Sequence, residues 1–520
     1  MARDISERIR DVLRINPAAG AVEFEGVWHS WGALTAMIDA VDHALGGAGL
    51  GPGTPIGLLL RNRPCLVGAL LAVLTTRRCV ITINPHQGDA KLADDVRALR
   101  LQAILAWRDE WERPELRDAA SMTGSVGLAL SDGAGPPVAP VRGLEQLGDG
   151  PHHEPLPGIA VEMLTSGTTG PPKRVKLSYD ALERSFAGAA HYERRKGDDE
   201  PATLRHGVAI ISAPLVHVGG LWRTLQCVTD GRPIALLERF RVLPWLELVK
   251  RHHPKTVSLV PAALRMVLDA DIAREELSSI KAVLSGTAPL PPETAVAFEE
   301  KYGIPVLVSY GATEFAGGVA GWTIEDHRRW ARTKRGSVGR AHPGCQLRVV
   351  HPDDGRELPV GSTGLLEARS AQLGSGSGWV RTTDLAAIDE DGFVWIKGRA
   401  DNVINRGGFK VAPAEVVHVL QMHPSVREAS VVGLADARLG QVPVAAVELQ
   451  EGAPPIDGEQ LRAFARQHLV TYQVPKEVRV VERLPRTASM KVSEEGVRAL
   501  FLMDTTPEAM PIDQARKSDE

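Results

Sequence analysis

Hydrophobic positions change period several times along this chain. Leu34, Met37, Ile38, Val41 and Leu45 recur at helical spacing after Ser30, and Gly46-Gly47 end the pattern. Ile56–Leu60 is a short unbroken apolar run, as in a strand buried on both faces. Cys65–Leu74 is apolar nearly all round and predicts a buried helix. Val80–Ile83 predicts the next strand, closed by Asn84-Pro85. Such alternation predicts α/β layering. Between 110 and 160 the periodicity fades and Gly, Pro, Asp and Glu increase, which predicts a surface segment. Alternation then returns. Strand-like runs are Val208–Ile211, Ile234–Leu237, Val257–Val260, Ala282–Leu284 and Val306–Ser309, with helical patterns between several of them. Residues 374–378 read as a flexible Gly-Ser loop, and Asp389–Gly392 as a hairpin turn between Leu385–Ile388 and Phe393–Lys397. From Val403 a smaller α/β unit follows. It has a helix near Ala414–Leu420, strands near Ala429–Val432 and Val444–Leu449, and a helix near Leu461–Leu469. Residues 506–520 are polar and predict a disordered tail.

The 520 residues, 43% hydrophobic and 24% charged, are enough for two or more globular domains. A net charge of −4 argues against a nucleic-acid partner. The N-terminus has no apolar signal core and no long apolar run occurs, so no membrane partner is expected. Cys65, Cys79, Cys227 and Cys345 lie too far apart for a disulfide framework or a zinc site and read as reduced thiols. The C-terminus carries no retention or peroxisomal signal. A cytoplasmic location is the expectation.

One stretch carries chemistry on its face: Thr165-Ser166-Gly167-Thr168-Thr169-Gly170-Pro171-Pro172-Lys173. It follows an apolar run and precedes a helix that Ser178 would cap, with Leu182 and Phe186 behind it. Two glycines allow close backbone approach, and hydroxyls with free N–H groups suit phosphate oxygens. The spacing is not that of the kinase and GTPase P-loop. By itself the stretch serves equally well as an ordinary Gly-Pro loop.

The stretch resembles the phosphate-binding loop of the adenylate-forming superfamily, which includes acyl-CoA synthetases, nonribosomal peptide adenylation domains and firefly luciferase. Five further elements stand in that family's order. In the family, Thr165 to Gly170 and Lys173 would hold the β- and γ-phosphates of ATP. Pro214-Leu215-Val216-His217-Val218-Gly219-Gly220 resembles the element bordering the acyl pocket. There His217 would gate or contact the carboxylate, and Val218, Gly219, Gly220 and Leu221 would line the pocket. Alone, a single His after an apolar run reads as structural. Ser285-Gly286-Thr287-Ala288-Pro289-Leu290 resembles the stretch whose backbone packs on adenine and the acyl group, with Thr287 where many members have Gly or Ala.

Tyr310-Gly311-Ala312-Thr313-Glu314 follows a predicted strand, and the carboxyl end of a parallel strand is where a ligand is expected. Tyr310 offers a face to adenine, Thr313 a hydroxyl near the α-phosphate, and Glu314 a hard oxygen ligand for Mg²⁺. The resemblance adds Gly311, Ala312 and Gly318 to the nucleotide and acyl pockets. It assigns Asp384, in Thr382-Thr383-Asp384, and Arg399 to the ribose hydroxyls. Thr383 replaces the usual Gly and would be strained if φ were positive there. Asp401 matches the hinge, while Gly407, Gly408 and Lys410 match the border of the acceptor tunnel. Lys491 matches the catalytic lysine, with Met490 where the family has Gly.

The resemblance therefore implies a large multi-sheet α/β N-terminal domain over 1–400 that binds AMP. A small mobile α/β C-terminal domain over 401–505 would carry the catalytic lysine, followed by the tail. The implied reaction joins a small-molecule carboxylic acid to ATP with Mg²⁺, forming an acyl-adenylate and pyrophosphate. Lys491, Thr313, Glu314 and His217 would act in that step. The acyl group then passes to CoA or, alternatively, to an amino acid or other amine. No carrier domain in cis is expected. The lost glycines also admit a non-catalytic nucleotide- or acyl-binding paralogue. Gly219, Gly220, Gly317 and Gly318 suggest room for a ring or branched acid, and serve equally as glycines demanded by the backbone.

Overall fold

The structure is a computed structural model, and it describes residues 4–133, 135–164, 173–190, 201–373, 378–487 and 490–502. The expected phosphate loop from Thr165 to Gly170, most of the Gly-Ser loop and the C-terminal tail lie outside the described residues. The chain divides into two compact units. One comprises Met1–Lys397 with Ala488–Met490, the other Gly398–Thr487 with Lys491–Glu520.

In the larger unit the first sheet has seven strands. Their order is Val138–Pro140, Val126–Leu130, Ala103–Trp107, Pro55–Leu59, Cys79–Ile83, Ile159–Leu164 and Arg174–Ser178. The inner strands are parallel, and each edge strand is antiparallel to its neighbour. Helix Pro64–Thr75 is buried at every position, as its unbroken apolar sequence requires. Helix Trp31–Gly47 starts at Ser30, whose Oγ accepts from the Ala33 N–H at 3.1 Å. It runs through both glycines expected to stop it, and the left-handed residue is Gly49 at φ +76°. The segment expected to lie on the surface is instead partly structural. It supplies helix Pro114–Met122 and strands Val126–Leu130 and Val138–Pro140. Val126–Leu130 is too short and too Gly-interrupted to show a period, and its burial comes from pairing with Ala103–Trp107.

A second sheet runs Thr256–Ser258, Ala282–Ser285, Val306–Ala312, Gly317–Gly321 and Arg340–Ala341. Its first three strands are parallel and the last two antiparallel. A four-stranded sheet joins Ala209–Ile211, Ile234–Leu236, Gly20–Phe24 and Val27–Ser30. An antiparallel one joins Cys345–Val350, Gly364–Ser370, Val380–Ile388 and Val394–Arg399. The expected hairpin turn is present: Asp389 Oδ1 accepts from the N–H groups of Asp391 (3.0 Å) and Phe393 (2.8 Å), and Gly392 takes φ +80°.

The smaller unit is a five-stranded sheet with helices Pro413–Gln421, Gly458–His468 and Glu494–Leu502. Its core gathers residues such as Ile404, Val416, Val431, Val447 and Leu461. Helix Gly458–His468 begins with a capping box between Asp457 and Gln460. No helix among the described residues is long and apolar enough to cross a membrane.

Candidate active site

Strand Val306–Ala312 runs three residues beyond the run predicted for it, so Tyr310, Gly311 and Ala312 belong to the strand and not to a turn after it. They extend because they pair antiparallel with Gly317–Gly321, with Gly311 opposite Gly318 and Ala312 opposite Gly317. The reversal is the single 3₁₀ turn Thr313–Phe315, followed by Ala316 at φ +54° and Gly317 at φ +147°. This hairpin is so close that a methyl on Gly311 would sit 2.3 Å from the Gly317 carbonyl oxygen. Glycine at 311 is therefore a backbone requirement. Glu314 stands exposed on the turn, with Thr313 half-buried beside it.

Two polar side chains from elsewhere pin this turn. Ser185, on the buried face of helix Tyr179–Ala190, donates to the Ala316 carbonyl at 2.7 Å and accepts from Trp222 Nε1 at 2.9 Å. Gln372 Nε2 donates to the Phe315 carbonyl at 2.8 Å and the Gly318 carbonyl at 3.3 Å. Sequence reasoning missed both residues. The available signal was a serine on an otherwise apolar helical face beside Leu182 and Phe186. Ser178 does cap that helix, accepting from the Ala181 N–H at 3.1 Å.

Tyr310 and Asp384, assigned to adenine and ribose, are brought together. The Tyr310 hydroxyl donates to Asp384 Oδ2, and its ring packs on the cluster of Val349, Leu366, Ala386 and Val394. The Asp384 N–H donates to Thr382 Oγ1 at 3.0 Å, and Thr382 Oγ1 donates to the Leu366 carbonyl at 2.8 Å. Thr383 lies within extended strand Val380–Ile388 and has no positive φ. Threonine is thus accommodated at 383 without left-handed strain.

The Pro214–Gly220 element also forms a unit. Buried Asn62 donates to the carbonyls of Ala213 (3.0 Å) and Leu237 (2.9 Å) and accepts from the Leu215 N–H (2.8 Å). Its side chain therefore clamps the loop that delivers His217, a second contribution the sequence did not reveal. His217 is the N-cap residue of helix Val218–Thr229, in extended conformation and without a side-chain cap bond. A methyl on Gly220 would sit 2.2 Å from the Pro214 carbonyl oxygen, so Gly220 serves the packing of loop against helix. A methyl on Gly219 would lie 3.3 Å from Thr287 Cγ2, which sets the Ser285–Ala288 turn against the first turn of this helix. Gly286 faces Ser309, with its missing Cβ 2.8 Å from Ser309 Oγ. The Ser285 hydroxyl is buried and finds no hydrogen-bond partner among the described residues. His342 lies across the glycine strand. Methyls on Gly318 and Gly321 would meet its Cε1 at 3.0 Å and its Nε2 at 2.7 Å.

In the smaller unit, Arg399 Nε and Nη2 pair with the two Asp401 oxygens at 2.8 and 2.6 Å. This ties the expected ribose residue to the expected hinge residue. Gly407 (φ +59°) and Gly408 (φ +89°) form the tight turn between strands Ile404–Arg406 and Phe409–Val411. Phe409 stacks on Tyr472 with centroids 4.7 Å apart. The lysine loop closes locally: the Thr487 N–H donates to the Lys491 carbonyl at 2.8 Å, and the Ser493 N–H to the Pro485 carbonyl at 2.7 Å. Met490 adopts φ +63° and so keeps the left-handed conformation a glycine would take there. Burial, and next the Arg399 guanidinium, hold the Lys491 ammonium below its ordinary pKa.

Among the described residues no cluster of three His, Cys, Asp or Glu side chains could hold a metal. The fit to Mg²⁺ rests instead on Glu314. One exposed carboxylate suits an ion that keeps several waters and takes one or two protein carboxylates beside phosphate oxygens.

Comparison with known proteins follows the same two parts. The family described as "AMP-binding enzyme" matches residues 9–377, and "AMP-binding enzyme C-terminal domain" matches residues 415–491. The chain is similar to an indoleacetate–CoA ligase of Aromatoleum aromaticum, at 28% identity over 96% of this chain and 99% of the relative. Among solved structures it is similar to ATP-bound MatB of Rhodopseudomonas palustris, with a TM-score of 0.80 and 25% identity over 96% and 99% of the two chains. It is also similar to the amide bond synthetase McbA of Marinactinospora thermotolerans, with a TM-score of 0.76 and 29% identity over 96% and 100%.

Proposed function

From the premise that the chain belongs to the AMP-binding enzyme family, we propose that it is an AMP-forming acid ligase that couples a small carboxylic acid to CoA through an acyl-adenylate. The observation that carries this reading is the pinned hairpin, which presents Thr313 and Glu314 and places the Tyr310 hydroxyl on Asp384.

In the first step a carboxylate oxygen attacks the α-phosphorus of ATP and the bond to pyrophosphate breaks. Both reactants are anions, so positioning and charge neutralisation supply most of the rate. Tyr310 and Asp384 orient the nucleoside, the carboxylate accepting from ribose hydroxyls. Thr313 offers its hydroxyl to the α-phosphate. Lys491 neutralises charge that builds on the α-phosphate and carboxylate oxygens. Glu314 would hold Mg²⁺, which when bound neutralises phosphate charge. Lys173, and the preceding residues Thr165 to Gly170, would hold the outer phosphates. His217 borders the acid, with Val218, Gly219 and Gly220 along the pocket. In the second step the thiol sulfur attacks the acyl carbon and AMP leaves. We assign Gly407, Gly408 and Lys410 to the acceptor side. Rotation of the C-terminal unit about Asp401 would separate the two steps. The likeness to CoA ligases over nearly the whole chain favours CoA, and a cytoplasmic setting suits both substrates.

A second reading is amide formation with an amine acceptor, which the likeness to an amide bond synthetase favours. Mass spectrometry after incubation with ATP, a panel of acids, and CoA or amino acids decides between them. A thioester product supports the first reading and an amide without thioester supports the second. With Lys491→Ala, acyl-adenylate formation is expected to be lost while transfer from preformed acyl-adenylate survives. Survival of both steps would remove Lys491 from its role.

A further inference from the structure

Ser185 joins three elements through one hydroxyl. It is buried on helix Tyr179–Ala190, and its Oγ meets both helix Val218–Thr229 and the end of the Thr313–Phe315 turn. An indole N–H can only donate, so Trp222 Nε1, on the helix that His217 caps, fixes Ser185 Oγ as its acceptor at 2.9 Å. The serine proton is thereby left for the Ala316 carbonyl at 2.7 Å. The Trp222 ring is itself held against Phe186, with centroids 5.4 Å apart.

That carbonyl lies between two residues with positive φ, Ala316 at +54° and Gly317 at +147°. The left-handed conformation is unfavourable for alanine and persists only where surrounding contacts over-determine it. Relaxation of Ala316 would turn its carbonyl away from Ser185. It would also pull on the bond from the Ala316 N–H to the Thr313 carbonyl, 3.0 Å, which closes the turn carrying Glu314. A methyl on Gly317 would lie 2.7 Å from Ser185 Oγ and 3.2 Å from Trp222 Nε1, so the space this glycine leaves is filled by the serine and the indole. Resting on the adenylation reading above, we propose that Ser185 is a positioning residue for acyl-adenylate formation. It acts through the turn and not on a reacting atom. By keeping Ala316 left-handed it holds Thr313 and Glu314 in place, and Trp222 keeps its hydroxyl aimed at the turn.

The test compares two half-reactions in Ser185→Ala. One is pyrophosphate exchange at saturating acid, using whichever acid wild type exchanges fastest in a panel of aromatic, aliphatic and heterocyclic carboxylic acids led by benzoate, hexanoate and indole-3-acetate. The other is transfer from the preformed acyl-adenylate of that acid to the acceptor wild type uses, CoA or an amine. Transfer starts with the acid already bonded to the α-phosphate, so it depends less on Thr313 and Glu314. Loss of folded protein lowers both rates alike and cancels in their ratio. The exchange-to-transfer ratio should fall at least about tenfold, since an ångström of misplacement costs on the order of a hundredfold. Trp222→Phe should lower the ratio by a smaller factor. Adding it to Ser185→Ala should leave the ratio within about twofold of Ser185→Ala alone, because the relay is already broken. Multiplying effects in the double variant would overturn the relay from Trp222. A ratio unchanged within about twofold in Ser185→Ala would overturn the proposal and leave Ser185 a purely structural residue. If Ser185→Ala does not fold, Trp222→Phe decides by the same criterion. Absence of exchange in wild type across the whole panel would instead overturn the adenylation reading together with it.

Discussion

Replacing His342 by glutamine should change how stability depends on pH more than stability at pH 7. The imidazole lies against Gly318 and Gly321, in space that only glycines at those positions leave open. Burial lowers its pKa from 6.5 to about 4, although hydrogen bonds to the backbone of Gly318 and Ala320 act in the opposite direction. The unfolded chain takes up this proton near pH 6.5, and the folded chain does not until about pH 4. Stability must therefore fall as pH drops through that window, and it levels off below it. At about 1.4 kcal/mol per pH unit, the gap amounts to roughly 3 kcal/mol in all, about 2 kcal/mol of it gone by pH 5. Glutamine can donate to the same backbone but does not titrate. Denaturant unfolding of wild type and His342→Gln at pH 7.5, 6, 5 and 4.5 isolates the effect, because every other titrating group cancels in the difference. The variant should gain on wild type by about 2 kcal/mol between pH 7.5 and 5. Parallel curves over that range would show that His342 does not titrate as its burial requires.

Gly311→Ala places a methyl 2.3 Å from the Gly317 carbonyl oxygen and 2.8 Å from Gly318 Cα, both backbone atoms. It should cost about 1–3 kcal/mol in thermal unfolding and remove pyrophosphate exchange. Met490→Gly should relieve about 1 kcal/mol of left-handed strain, partly offset by glycine's freedom in the unfolded chain. Thermal unfolding should show glycine no less stable than wild type and Met490→Ile clearly less stable. Because burial and Arg399 disfavour the Lys491 ammonium, adenylation should fail on the alkaline side at lower pH than for an ordinary lysine, and Arg399→Met should move that limb upward. A pH–rate profile of pyrophosphate exchange reads both.

Periodicity revealed the long elements because their burial is local to the pattern. Helix Pro64–Thr75 is apolar on every side and buried on every side. Strand Val126–Leu130 escaped notice because five residues containing a glycine show no period, and the parallel strand that helps to bury it, Ala103–Trp107, lies beyond an intervening helix in the chain. The extension of Val306–Ala312 escaped for a related reason, since only the returning strand Gly317–Gly321 holds it straight. Within the candidate site, motif order singled out Tyr310, Glu314 and Asp384, and the fold joins the first to the last through a hydrogen bond. The residues that fix them were not singled out. Asn62, Ser185 and Gln372 are single polar side chains whose partners include carbonyls from 54 to 175 positions away. No spacing rule reaches that far. The two replaced glycines also separated only in three dimensions: Thr383 sits in extended strand, whereas Met490 keeps a positive φ.

The measurement that bears most directly on the account is acid-dependent exchange of labelled pyrophosphate into ATP, without CoA or amine. The account predicts exchange with at least one carboxylic acid and its loss in Lys491→Ala, because a reversible acyl-adenylate forms before any acceptor enters. Consumption of ATP to ADP and phosphate, or thioester formation without exchange, would contradict it.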